Sequence, residues 1–491
     1  MALSICASAV ANPQIETVIV TADFRDAELL KMPASVSVLS ADVIRQRNAQ
    51  HLEQMLTLAP NVNISSGSSR ARFIQIRGIG ERSQFAQPID PSVGLVIDDV
   101  DFTGIGAAAT MFDVRQVEVL RGPQGIRYGA NALAGIVAIQ SQQPTENFEG
   151  YVDASISEYD TWSLGAAAGG AISDSLLYRV AVQKNTSDGF IENDYLNKDD
   201  TNNIDELTSR VKLKWLASEK VTINTSFLFA DIDNGYDAFS LDNNRTTLSD
   251  EPGHDRQKTR ALSIKADVDV STAINFQTIA SYASSDLEYG YDEDWSYVGI
   301  CSDFPCDGYD YATTDNYKRD RQNGSVELRL LSDEAGRIFN DSTDWLIGVY
   351  FSEQSVELDR DYFDWDAFSD ANLMSEYDTK NLALFAELSS SLSEKMTLTY
   401  GLRIEDWTAE YSDSNAVVLD NDDTLYGGKL VLDYQYADNS MAYASVARGY
   451  KAGGVNIDST LAEINREFDT EFQWAYELGL KNILLDGRLS T

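Results

Sequence analysis

The chain has 491 residues, with 38 lysines and arginines against 78 aspartates and glutamates, a formal net charge of −40. So acidic a surface excludes nucleic acid as a partner, because phosphate is bound by basic faces. No apolar run reaches the roughly 18 residues that a membrane-crossing helix needs, whereas the weak, alternating signal of a transmembrane β-barrel fits this composition.

The charge is uneven along the chain. Residues 1–146 carry 11 basic and 14 acidic side chains; residues 147–491 carry 27 and 64, with all seven tryptophans and 23 of the 24 tyrosines. A nearly neutral, aromatic-poor first part is therefore followed by an acidic, aromatic-rich second part, with a domain boundary between them. Histidine is limited to His51 and His254, too few for a zinc site or a histidine-based triad. No catalytic constellation, metal site or cofactor motif emerges, and the chain reads as a non-enzyme.

Residues 1–11 (MALSICASAVA) have the small-residue ending of an export signal without its basic start, and are expected to be its remnant. Residues 12–31 follow as an extended segment and linker, with the β-prone run Glu16-Thr17-Val18-Ile19-Val20-Thr21-Ala22 inside it. From residue 32 to 146 short helices and strands alternate. Val36–Leu39 predicts a strand, Ser40 caps a helix to about Asn48, and a second helix runs from Gln50 to Leu58, ended by Pro60. Arg72–Arg77 and Val93–Val100 predict two more strands. In the second, Asp98 and Asp99 read as a polar strand end in a wetted domain.

The run Val117–Pro144 (VEVLRGPQGIRYGANALAGIVAIQSQQP) then places glycine and proline where tight turns and close backbone approach are needed. Together, PASVSVLSADVI, LEQMLTLAPNV, FIQIRGIG, GLVIDDV and VEVLRGPQG, in this order, resemble the plug domain of TonB-dependent outer-membrane receptors. Ala134 departs from the family pattern, where the first glycine of a pair is usual.

From Gly150 onward the period is two. Leu207, Val211, Leu213 and Trp215 share one face against Thr208, Arg210, Lys212 and Lys214; Leu262, Ile264, Ala266 and Val268 oppose Ser263, Lys265 and Asp267. Brief turns such as Ser173–Ser175 and Ser391–Lys395 alternate with long polar connections near 185–205, 232–258, 285–321, 354–378, 408–425 and 448–470. Short turns on one side and long loops on the other are the rhythm of an outer-membrane barrel.

The fold expected is therefore an all-β transmembrane antiparallel barrel (residues 147–491) with an N-terminal α+β plug (residues 32–146) in its lumen. About fourteen strands are counted against the roughly 22 of such transporters, so the barrel is expected to be incomplete at the C-terminus. Cys301 and Cys306 bracket a short turn and are expected to form one local disulfide.

The resemblance implies further roles. Glu16–Ala22 matches the TonB box, on which a TonB-type energy-transducing protein of the inner membrane adds a strand. Arg77 and Arg121, each ending a strand just before glycine, match plug arginines that pair with barrel glutamates; Glu477, inward by alternation from Phe472, Trp474, Tyr476, Leu478 and Leu480, is the candidate partner. Ligand contacts are expected from the plug apex (Arg82, Gln84, Phe85, Gln87) and from the aromatic loop holding Tyr291 and Trp295. The implied function is TonB-dependent import of a scarce ligand, foremost a ferric siderophore, across the outer membrane of a Gram-negative bacterium, with outer-membrane lipid around the wall. An oligosaccharide, cobalamin, or a passive porin or adhesin role are the alternatives.

Overall fold

The computed structural model describes residues 18–21, 23–66, 69–70, 72–82, 88–304, 312–365, 367–457, 461–462, 465–485 and 488–491. Its N-terminal part is built on a mixed sheet in the order Val36–Ser40, Val114–Arg121, Gly135–Ser141, Val93–Ile97, Val100–Asp101. Val93–Ile97 runs parallel to Gly135–Ser141, and the other pairs are antiparallel. The central strands lack clean alternation because both of their faces are covered. Val117, Val119, Val137 and Ile139 pack on one side with Leu52, Met55 and Leu56. Leu120, Ile136 and Ala138 pack on the other with Val20 and Met32. Gly135 has φ +150°, and a Cβ there would lie 2.4 Å from the Leu120 carbonyl oxygen, so glycine is required. Ala134 is buried without such a constraint.

The two helices are shorter than predicted. One spans Ala41–Gln46 and the Ser40 side chain makes no capping bond; the other spans Leu52–Leu56, capped reciprocally by His51 and Gln54. The predicted Val93–Val100 strand breaks at Asp98 and Asp99, both at positive φ, into two strands folded on each other.

Beyond it, fourteen long strands from Glu149–Ile156 to Glu471–Leu484, and a two-residue strand Leu489–Ser490, form one antiparallel sheet in sequence order. Leu262 and Ile264 face outward, while Ser263 faces in and donates to the Asp98 carbonyl oxygen at 2.7 Å. Leu478 is 86% exposed beside an inward Glu477. Rows of exposed Leu, Ile, Val and aromatic side chains on the outer face make a belt suited to lipid, since a soluble surface rarely carries so large an apolar patch.

The wall differs from expectation in strand length. Three successive strands, Thr313–Ser332, Thr343–Asp364 and Ser369–Ser393, have 20, 22 and 25 residues, about twice what crossing a bilayer takes. The stretches 354–378 and 408–425, expected to be loops, are mostly paired hairpin ends, and the expected loop 285–321 narrows to 293–312. His254, expected in a loop, likewise lies in the strand Gly253–Asp269, facing Glu288. Above the lipid both faces meet water, so the apolar–polar contrast fades while backbone pairing continues.

Candidate functional site

At the long-loop end the plug and the wall enclose a chamber of about 160 Å³, with Arg72, Asp90, Tyr289, Tyr317, Arg319 and Arg321 among its lining residues. Arg72 stands just before the plug strand Phe73–Ile76, its guanidinium facing the Asp255 carboxylate and lying 5.6 Å from the Tyr289 ring centre. Tyr317, Arg319 and Arg321 follow one another at period two on the wall. The Arg319 and Arg360 guanidiniums sit 5.0 and 5.1 Å from the Tyr317 ring, and Arg360 grips Asp315 with two 2.8 Å bonds. Arg321 donates to the Thr103 carbonyl oxygen and so ties the chamber floor to the plug.

Above it runs a ladder of rings: Trp295 stacks on Phe239 at 4.8 Å, Phe239 meets Tyr236 at 5.6 Å, and Tyr236 meets Tyr289 at 5.5 Å. Flat π faces beside guanidiniums suit a planar, oxygen-rich anion. Burial draws Arg72 down to about 10, so it remains cationic at neutral pH.

Asp90 is the acidic exception. Burial pushes its carboxyl up to about 6, with Lys451 and Arg321 pulling against that shift and Asp101 and Glu405 adding to it. Its charge therefore appears between about pH 5 and 7, and an anionic ligand is repelled as it does. Affinity for such a ligand is expected to fall by a few-fold over that interval and to become flat in Asp90→Asn; titration of ligand binding against pH checks this. The same raised value means the folded state holds the proton that the unfolded chain releases near pH 4, so this group destabilises the plug progressively as pH climbs to about 6.

Of the predicted contact residues, Tyr291 and Trp295 belong to the ring ladder, not to the chamber lining. Arg82 is exposed and does not line the chamber, while Gln84, Phe85 and Gln87 lie outside the described residues. The sequence reading missed Arg72, Tyr289, Tyr317, Arg319 and Arg321. For Tyr317, Arg319 and Arg321 the signal was their two-residue spacing, hidden because 285–321, which also holds Tyr289, was taken as a loop; Arg72 stood at the start of a predicted strand with nothing to mark it.

At the short-turn end, Ile19–Val20 pairs with Ala27–Glu28, and Val20 is fully buried beneath the plug sheet. The Thr21 amide and hydroxyl donate to Glu118 at 3.0 and 2.7 Å, and Gln116 donates to the Ile19 carbonyl oxygen at 2.9 Å. Val18–Thr21 is thus folded back on the plug; Glu16, Thr17 and Ala22 lie outside the described residues. Arg77, at φ +55°, places Nη2 2.6 Å from Glu477 Oε2, and the Tyr443 hydroxyl donates to the other oxygen of that carboxylate. Arg121 makes no ion pair within 4 Å among the described residues, although the Glu477 charge acts on it; it donates to the Pro60 carbonyl oxygen at 2.8 Å and the Ser37 hydroxyl at 2.6 Å, within the plug. Cys301 is disulfide-bonded, and Cys306 lies outside the described residues.

Buried ion pairs tie plug to wall between these two ends. Arg70 reaches Glu206 at 2.5 Å, Arg179 reaches Asp113, Lys451 reaches Glu81 at 2.9 Å, and Lys212 reaches Asp98 at 2.7 Å. Asp98 is therefore a buried anchor, in place of the wetted strand end expected. Burial opposes its charge, but Lys212 and the Ser141 hydroxyl and amide hold the carboxyl below its ordinary value.

Residues 28–136 match the family model described as TonB-dependent receptor plug domain, and residues 142–491 match that described as TonB dependent receptor-like, beta-barrel. The pesticin receptor of Yersinia pestis is 26% identical over 461 residues, covering 91% of this chain and 65% of the receptor's length. The ferric enterobactin receptor PirA of Pseudomonas aeruginosa is 31% identical over 135 residues, 25% of this chain and 18% of that protein. Among solved structures, the ferric yersiniabactin uptake receptor FyuA of Yersinia pestis superposes with a TM-score of 0.77 at 22% identity, covering 92% of this chain and 70% of that one. The siderophore receptor PiuA of Acinetobacter baumannii gives 0.76 at 17%, covering 94% and 72%. The chain spans just under two thirds of the length of the pesticin receptors it matches. With both family models matched in order over nearly all of its length, this chain belongs to the TonB-dependent receptor family.

Proposed function

We propose that the chain serves energised import of a ferric siderophore across the outer membrane of a Gram-negative bacterium, without an enzymatic step. The ligand docks on the ring ladder and the guanidinium-lined chamber, and a TonB-type partner of the inner membrane pairs with Glu16–Ala22 and pulls. The observation that carries this reading is the cluster of Arg72, Arg319 and Arg321 with Tyr289 and Tyr317 in one chamber. Iron-chelating ligands present oxygen-rich, often anionic edges, which guanidiniums bind and aromatic rings flank. Relatives named for ferric yersiniabactin and ferric enterobactin support the class of cargo. The stacked Trp295–Phe239 pair favours a second reading, an oligosaccharide laid on the rings.

Fluorescence titration with a panel of ferric siderophores and glycans separates the two. Arg319→Ala is expected to cost about 2 kcal/mol of ferric-chelate binding, a roughly thirty-fold rise in Kd. An unchanged Kd in Arg319→Ala and in Tyr317→Ala would remove the chamber from the reading, and saturable glycan binding without chelate binding would favour the sugar.

A further inference from the structure

Beside the chamber, three wall strands bring oxygen donors together around one carboxylate. Tyr291 lies on Ile274–Asp292, Asp315 and Tyr317 on Thr313–Ser332, and Arg360 on Thr343–Asp364. Pairing sets Tyr291 directly opposite Asp315 and Tyr317 directly opposite Arg360, so neighbours across the strands meet on the lumen face. Asp315 is 1% exposed, and the others converge on its Oδ2. The Tyr317 hydroxyl donates to that oxygen at 2.8 Å, the Tyr291 hydroxyl at 3.5 Å and Arg360 Nη2 at 2.8 Å. Arg360 Nε donates to the other oxygen at 2.8 Å, so a two-pronged guanidinium fixes the carboxylate in place.

Phenol and carboxylate oxygens are hard donors, which suit a small, highly charged ion and not a soft one. Neighbouring ligands of an octahedral ion, each about 2.0–2.1 Å from it, lie about 2.9 Å from one another. The two phenol-to-carboxylate distances, 2.8 and 3.5 Å, bracket that edge. An ion seated among these three oxygens takes the place of the two phenolic protons and leaves both Arg360 bonds intact. Two phenolates and one carboxylate together balance the charge of a ferric ion. The Arg319 and Arg360 guanidiniums, 5.0 and 5.1 Å from the Tyr317 ring, flank the phenolate with positive charge.

We infer that Tyr291, Asp315 and Tyr317 ligate the ferric ion of the cargo directly, at coordination positions that its chelator leaves open. Each phenol gives its proton to water as its oxygen–iron bond forms, and water held on those positions of the chelate departs. The iron stays ferric and no electron moves. This rests on the import reading above and narrows its cargo to incompletely wrapped ferric chelates, gripped by the metal as well as by the chelator's edges. A hexadentate chelate has no position to offer and is held by the chamber and the rings alone.

The test is a visible-absorption titration of the detergent-solubilised receptor with ferric nitrilotriacetate, a chelate that leaves iron positions open and contains no phenol. A phenolate-to-iron charge-transfer band is expected to grow in. Tyr291→Phe and Tyr317→Phe keep the ring contacts, and each is expected to weaken the band about two-fold, one of two phenolates being gone. The double variant is expected to abolish it. Tyr195→Phe, in the exposed stacked pair with Tyr297, is expected to leave it unchanged. Resonance Raman spectra of unsubstituted receptor carrying ring-deuterated tyrosine test the ligands without any variant, because the enhanced modes are expected to shift. Absence of the band, enhanced modes that do not shift, or a band that survives in the folded double variant overturns direct ligation. Any of these in a receptor that still imports a hexadentate ferric chelate overturns the ligation alone. Cells with no energy-dependent uptake of any ferric chelate overturn the import reading itself.

Discussion

Ile19→Pro is expected to reduce ligand uptake to the level of de-energised cells while leaving ligand affinity unchanged. A strand added to an extended segment is held mainly by backbone hydrogen bonds, and proline removes a donor and distorts the register. Losing one bond and leaving its partner unpaired costs about 2–3 kcal/mol, roughly 30–150-fold in association with the energy-transducing partner. Ile19→Ala keeps the amide and is expected to transport nearly normally, because Ile19 is only half-buried in the folded-back hairpin. Affinity is untouched because the chamber is lined by other parts of the plug and wall. Uptake assays in energised cells, paired with binding titrations, check both halves. Full uptake by Ile19→Pro, or by a receptor lacking residues 16–22, would point instead to a passive pore.

The second large effect is expected at the plug–wall seam of Glu206. Its carboxylate is 2% exposed and accepts from Arg70 Nε and, at 3.0 Å, from Asn234 Nδ2. Glu206→Ala removes the 2.5 Å carboxylate partner of a buried Arg70, whose contact to Glu53 is longer at 3.4 Å, and truncating one member of a buried pair costs about 3–5 kcal/mol. Faster amide exchange in the Leu52–Leu56 helix, and release of the plug at lower urea, are the measurements. The double change Arg70→Met with Glu206→Leu removes both charges and is expected to recover most of the loss. Asp231→Ala, which breaks an exposed pair with Lys258 at 3.3 Å, is the comparison, expected within about 0.5 kcal/mol of the parent. A Glu206→Ala plug as resistant as the Asp231→Ala plug would mean that water reaches the seam and screens it.

Both variants probe features that were unequally visible in the chain. Glu477 was legible as an inward residue, because Phe472, Trp474, Tyr476, Leu478 and Leu480 mark the opposite face of its strand. That Arg77 would meet it, 400 positions away, required the resemblance, since alternation gives a direction and not a partner. Arg121 shows the limit. It occupies the same kind of position, before a glycine at a strand end, yet Pro60 and Ser37 take up its guanidinium. Asp98 was placed at a polar strand end and Lys212 on a polar face, but nothing local says that the two meet. Tyr317, Arg319 and Arg321 were misassigned to a loop because the strand outruns the lipid by many residues.

The residues by themselves determined the two-part architecture, the barrel class and the inward or outward sense of those wall strands that alternate cleanly, such as those holding Leu207–Trp215, Leu262–Val268 and Phe472–Leu480. Those properties arise from periods of two, glycine and proline placement and charge distribution, all local in the chain. Only the tertiary structure decided which charges neutralise one another, which rings and guanidiniums share a chamber, and that Val18–Thr21 lies folded on the plug. These depend on the rotation and height of the plug inside its cylinder, a single rigid-body placement set by the sum of many weak contacts, which no short stretch of sequence encodes.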